Sequence, residues 1–64
     1  MEKTTLIEWR KRLGMSQAAA AEKLGCGRRS LQRWEDGSQA IPRYIALACS
    51  AVSLNLIPYG DQAQ

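Results

Sequence analysis

The chain has 64 residues, with nine lysines and arginines, six carboxylates, no histidine and two cysteines, for a net charge of +3. That length allows one domain that buries only about 60% of its unfolded surface. Two cysteines without histidine are too few for a disulfide scaffold or a zinc site, and neither cysteine has an obvious base beside it for nucleophilic catalysis. Glycines at phosphate-loop spacing and carboxylates in metal-binding clusters are missing too, so no enzyme, cofactor or metal is expected.

A first helix is expected over about residues 4–13, with Thr4 or Thr5 as N-cap. Leu6, Trp9 and Leu13 recur at spacings of three and four, which marks a buried stripe. Gly14 ends the helix as a glycine free to take positive φ. Ser16 caps a second helix over about 17–24, where four consecutive alanines, Ala18 to Ala21, combine helix propensity with little bulk. Gly25 closes it, Cys26 sits in the bend, and Gly27 takes the N-cap of a third helix over about 28–35. Asp36 and Gly37 end that helix.

The third helix is the most informative segment. No acid lies between Lys23 and Trp34, whereas three arginines do. At about 100° per residue, Arg28, Arg29, Gln32 and Arg33 share a face roughly 140° wide, opposite Leu31 and Trp34. Forked cations and an amide are the groups that read base edges in a DNA major groove, and clustered arginine marks a polyanion binder. The plainer alternative is a solvated helix face, but it lacks partners of opposite sign.

After a loop at 38–41, Pro42 suits the first turn of a fourth helix that runs to about Leu54. This helix is apolar on two sides. Ile45, Ala48, Cys49 and Val52 form one stripe; Tyr44, Leu47, Ala51 and Leu54 form another. Three other short helices cannot cover both. The second stripe, with Leu56, Ile57 and Tyr59 beyond it, is therefore expected to close a dimer. The alternative is a tail that folds back over its own helix. A short fifth turn is expected near 56–59, and Gly60 to Gln64 are expected to fray. Cys26 and Cys49 read as small buried hydrophobes in a reducing compartment, with a redox pair as the alternative. No segment approaches the roughly 20 apolar residues of a membrane span. The N-terminus lacks a signal-peptide core, so a cytoplasmic, nucleoid-associated location is expected.

With these residues laid out, the chain resembles phage repressor and Cro-type (XRE-like) helix-turn-helix proteins from about Leu6 to Leu56. The matching elements include Trp9-Arg10, Gly14, Met15, Ser16-Gln17, Ala21, Leu24-Gly25, Leu31, Trp34-Glu35 and Gly37, in one ungapped register. The resemblance implies an all-α, four- to five-helix, lambda-repressor-like domain spanning 1–64. Its helix-turn-helix would occupy about 17–35 and its dimerisation surface about 44–59. It implies sequence-specific binding of double-stranded DNA by a small Cro-like dimeric autorepressor on an inverted repeat, without a small-molecule ligand. Relatives of this kind accompany phage genes, including anti-CRISPR operons.

Residue by residue, the resemblance gives Arg28, Arg29 and Arg33 base-reading positions, with Gln32 between them. Gln17 matches a glutamine that braces the recognition helix and touches a phosphate. Its place at a helix N-terminus suits an anion. Ser16 assists there, Arg43 can reach the minor groove, and Lys11 and Arg12 add diffuse attraction. Arg10 and Glu35 match an ion pair joining the first helix to the end of the third. Glu35 falls beside Leu31 on the inner face, where an unpaired carboxylate is costly. Ala20 stands where relatives carry a larger aliphatic residue, so Trp9 or Trp34 is expected to fill the space. Two other roles fit the same residues: the DNA-binding antitoxin of a toxin–antitoxin pair, and a helical protein-interaction module.

Overall fold

A computed structural model describes residues 1–61. Four helices run in the order α1 (Lys3–Arg12), α2 (Gln17–Leu24), α3 (Arg28–Asp36) and α4 (Arg43–Ser53). There is no strand among the described residues. α3 packs against both α1 and α2, and α4 packs against α2. Leu6, Ala20, Ala21, Leu31, Trp34, Ile45 and Cys49 form the buried core. Trp9, Met15, Leu24, Cys26 and Ile41 close its edges. Trp34 is thus buried in one cluster with Ala20, whereas Trp9 stays at the rim.

Local chemistry fixes the boundaries. The Ser16 hydroxyl accepts a hydrogen bond from the Ala19 N–H at 3.1 Å, capping α2. At the other end Gly25 adopts φ +77°. The Gly25 and Cys26 N–H groups then donate to the carbonyls of Glu22 and Ala21 at 3.2 and 3.0 Å. This paired closure turns the chain sharply into α3, and a left-handed residue without a Cβ makes it inexpensive. Gly27 is the extended N-cap of α3, and Gly37, at φ +84°, ends it.

Three expectations need correcting at the first helix and the tail. α1 starts earlier than Thr4, because the Glu2 carbonyl accepts from the Leu6 N–H at 3.1 Å. Glu2 is therefore the N-cap, without a side-chain cap bond, and both threonines lie in the first turn. Leu13 is not part of the buried stripe but 44% exposed. The helix closes at Arg12, Gly14 turns the chain at φ +70°, and the Met15 N–H returns to the Arg10 carbonyl at 3.1 Å. That return puts Met15, not Leu13, against the core. The fifth helical turn is absent: the chain instead makes a hydrogen-bonded turn in which the Asp61 N–H donates to the Pro58 carbonyl at 3.0 Å. Pro58 lacks an N–H and disfavours helical geometry at Ile57.

Pro42 stands one position before α4, as its extended N-cap. Asn55 ends the helix in the left-handed region at φ 58°. The Trp9 indole N–H donates to the Ser53 hydroxyl at 2.8 Å, tying α1 to the end of α4. The described part of the tail leaves Tyr44, Leu47 and Leu54 of the second stripe more than half exposed, and its own Leu56, Ile57 and Tyr59 are exposed as well. Of the segment expected to fray, Gly60 and Asp61 belong to the final turn. Residues 62–64 lie outside the described residues.

Both cysteines are free thiols, Cys49 buried and Cys26 half-buried. Burial, helped by the neighbouring Cys26 sulfur, pushes the Cys49 thiol up to about 11. Cys49 should therefore stay protonated at neutral pH and react with iodoacetamide only as the domain unfolds. Alkylation of native Cys49 at pH 8 as fast as in denaturant would contradict this placement.

Candidate nucleic-acid interface

α3 presents two unlike faces. Leu31 and Trp34 are buried, whereas Arg28, Arg29 and Arg33 are exposed. The helix has only nine residues, and its strongly segregated sequence fixes its rotation about its own axis. The one salt bridge among the described residues is elsewhere, so no carboxylate holds these three guanidinium groups. Arg28 and Arg29 occupy the first turn, next to the glycine-lined bend, and Arg33 lies one turn further along. Arg43 is exposed at the first position of α4.

Behind this face lies the Arg10–Glu35 pair. Arg10 Nε donates to Glu35 Oε2 at 2.8 Å, and Arg10 Nη2 donates to Glu35 Oε1 at 3.0 Å. The two side chains are 13% and 6% exposed. A third guanidinium bond reaches the Met15 carbonyl at 3.1 Å. One cation thus links α1, the following turn and the end of α3. Burial pushes the Glu35 carboxyl up, but hydrogen bonds from Arg10 and Gln17 and the charges of Arg10 and Lys11 outweigh it. The carboxyl is held below its ordinary range. Every buried side-chain nitrogen and oxygen among the described residues has a partner.

Gln17, first in α2, joins this network: its Nε2 donates to Glu35 Oε1 at 3.0 Å. Its own Oε1 faces Gln32 Nε2 at 3.4 Å. Gln32 is half-buried, unlike the arginines with which the sequence groups it. Spacing along one helix cannot foresee this link, because it depends on how α2 docks on α3. The Trp9–Ser53 bond escaped the sequence for the same reason.

Ser16 is exposed, with its hydroxyl oxygen engaged by Ala19 and its proton free for another acceptor. Lys11 and Arg12 are exposed at the end of α1. Asp36, the last residue of α3, bonds locally to Ser38 and also feels the charge of Arg33. Its Oδ1 accepts from the Ser38 N–H at 2.8 Å, and bonds from Ser38 hold its carboxyl below the ordinary range. On α4 and beyond, Tyr44, Leu47, Leu54, Leu56, Ile57 and Tyr59 are exposed, and Ala51 is half-buried.

Among the described residues, no cluster of potential ligands could hold a metal ion, and no helix is long and apolar enough to cross a membrane. A family model described as helix-turn-helix matches residues 6–51, from the middle of α1 through most of α4. No curated protein and no solved structure matches the chain.

Proposed function

The chain belongs to the helix-turn-helix family of the Cro/C1 type and is a DNA-binding transcription regulator; from that premise we propose that it acts as a small dimeric repressor on an inverted-repeat operator, in the manner of a Cro-like autorepressor. The observation that carries this reading is the outer face of α3, where three arginines are exposed and engaged in no salt bridge while the opposite side is buried.

In the proposed complex α3 enters the major groove. A guanidinium fork meets O6 and N7 of guanine together, so each half-site should contain at least one G read by Arg28, Arg29 or Arg33. Ser16, Gln17 and the free N–H groups at the start of α2 hold phosphates and set the register. Arg43 reaches toward the minor groove, and Lys11 and Arg12 add diffuse attraction. Selection of bound fragments from random duplex DNA tests the whole reading. It should return an inverted repeat with half-site centres about 34–36 Å apart. A pool that never enriches, or binding indifferent to added salt, would count against it, because phosphate neutralisation makes affinity fall steeply with salt.

One recognition helix reads too few base pairs for specificity in a genome, so the proposal needs a two-fold dimer. The exposed apolar surface of α4 and the tail supports that closure. Replacing Leu54 or Ile57 by glutamate should give a monomer by light scattering and weaken operator binding about 100-fold, as the second half-site is lost. Variants that remain dimeric would remove this surface from the account. The same exposed surface also fits a protein partner, as an antitoxin requires; a wild-type chain that is monomeric and co-purifies with an untagged protein would favour that role.

A further inference from the structure

Gln32 differs from the three arginines that share its helix. They are exposed, and Gln32 is half-buried with its amide turned to Gln17. The chemistry of the chain fixes the direction of that bond. A carboxylate accepts hydrogen bonds and donates none, so Gln17 must turn its NH2 group toward Glu35 and its carbonyl away. The outward carbonyl then needs a donor, and Gln32 Nε2 stands 3.4 Å from it. The relay runs in one sense, from Gln32 through Gln17 to Glu35, whose other oxygen is held by Arg10. Reversing either amide would set oxygen against oxygen.

We propose that Gln32 is a positioning residue and not a base reader. It orients the Gln17 amide and thereby fixes the first turn of α2 against α3. The phosphate-holding end of one helix and the base-reading face of the next then meet DNA in a single register. This inference rests on the DNA-binding reading above and adds to it a division of labour on α3: the arginines discriminate and the glutamine aligns.

The test uses the full chain and duplexes enriched by the wild-type protein from a random library, together with every single-base variant of the enriched sequence. Gln32→Ala and the similarly long but apolar Gln32→Met should weaken binding to enriched and unrelated duplexes by the same factor, about three- to tenfold for one lost hydrogen bond. Base preference should stay unchanged at every position. On a Gln17→Ala background, Gln32→Met should cost nothing further, and in the otherwise wild-type chain it should shift the Gln17 side-chain amide signals in a nitrogen–proton spectrum. Melting curves select whichever of the two Gln32 variants keeps the wild-type fold. Loss of preference at one base pair would make Gln32 a reader and overturn the proposal. So would a full additional loss on the Gln17→Ala background. A wild-type chain with no salt-sensitive affinity for duplex DNA would instead bring down the DNA-binding reading beneath it.

Discussion

Arg10→Met should lower the free energy of unfolding by about 3–5 kcal/mol, because it strands the Glu35 carboxylate in a buried site. The loss is large relative to the total. Small domains have unfolding free energies on the order of 5 kcal/mol, so this variant should be substantially unfolded at 37 °C. The double variant Arg10→Met/Glu35→Leu should recover most of the stability, since an apolar pair of similar volume removes the stranded charge. Recovery should be incomplete, because Gln17 Nε2 loses the oxygen it donates to, as does the Met15 carbonyl its guanidinium donor. Urea unfolding of the four members of this cycle measures the coupling. Additive effects would mean that the 2.8 Å contact contributes little to stability.

The same pair gives a pH signature. The Glu35 carboxyl is depressed in the folded state, since the bonds and charges of Arg10, Gln17 and Lys11 outweigh the opposing effect of burial. Its stabilisation is therefore fully present above the unfolded value of about 4.3. It is lost as the pH falls through the lower folded value. In Arg10→Met the main partner opposing burial is gone, so the carboxyl is less depressed on folding and acidification costs the variant less stability than it costs the wild type. The wild-type melting temperature should drop on acidification from pH 5 toward pH 3, and the difference between wild type and variant should narrow over the same interval.

Much of the fold is legible in the sequence because its signals are local. Ser16 marks a helix start through its side-chain cap, Gly25 and Gly37 mark helix ends by taking positive φ, and Gly27 stands at the N-cap of α3. Leu6, Leu31, Trp34, Ile45 and Cys49 are readable as core from helical spacing. Leu13 fails the same arithmetic, because a stripe projected at 100° per residue has no meaning once the helix has ended. Pro58 explains the missing fifth helix, although hydropathy alone continues past it.

The candidate site divides along the same line. The arginine face is readable because Leu31 and Trp34 set the phase of α3 and turn Arg28, Arg29 and Arg33 outward, whereas Gln32 shares that phase and is half-buried by the docking of α2. The Arg10–Glu35 pairing comes from a family resemblance, supported by the cost of an unpaired acid beside Leu31. The Gln17–Gln32 link needs the docking of two helices, which no spacing rule encodes. The exposure of the second α4 stripe depends on where the tail goes, and an eight-residue segment with one proline leaves both courses open to a sequence reading.

The central claim is that the guanidinium groups of α3 read bases. Arg29 tests it most directly, being exposed, in the first turn of the helix and without an acidic partner. A bidentate arginine–guanine contact provides about 1–3 kcal/mol of discrimination, whereas a contact to phosphate adds affinity without preference. Removing the side chain should therefore act on the two kinds of DNA differently. With fluorescence anisotropy at fixed salt, Arg29→Ala should weaken binding to the selected operator about 5- to 150-fold, the equivalent of that energy. Its affinity for a scrambled duplex of the same composition should change far less, so the ratio between the two collapses. Equal losses on operator and scrambled DNA, leaving the ratio intact, would contradict base reading by this residue and reduce Arg29 to a charge near the backbone.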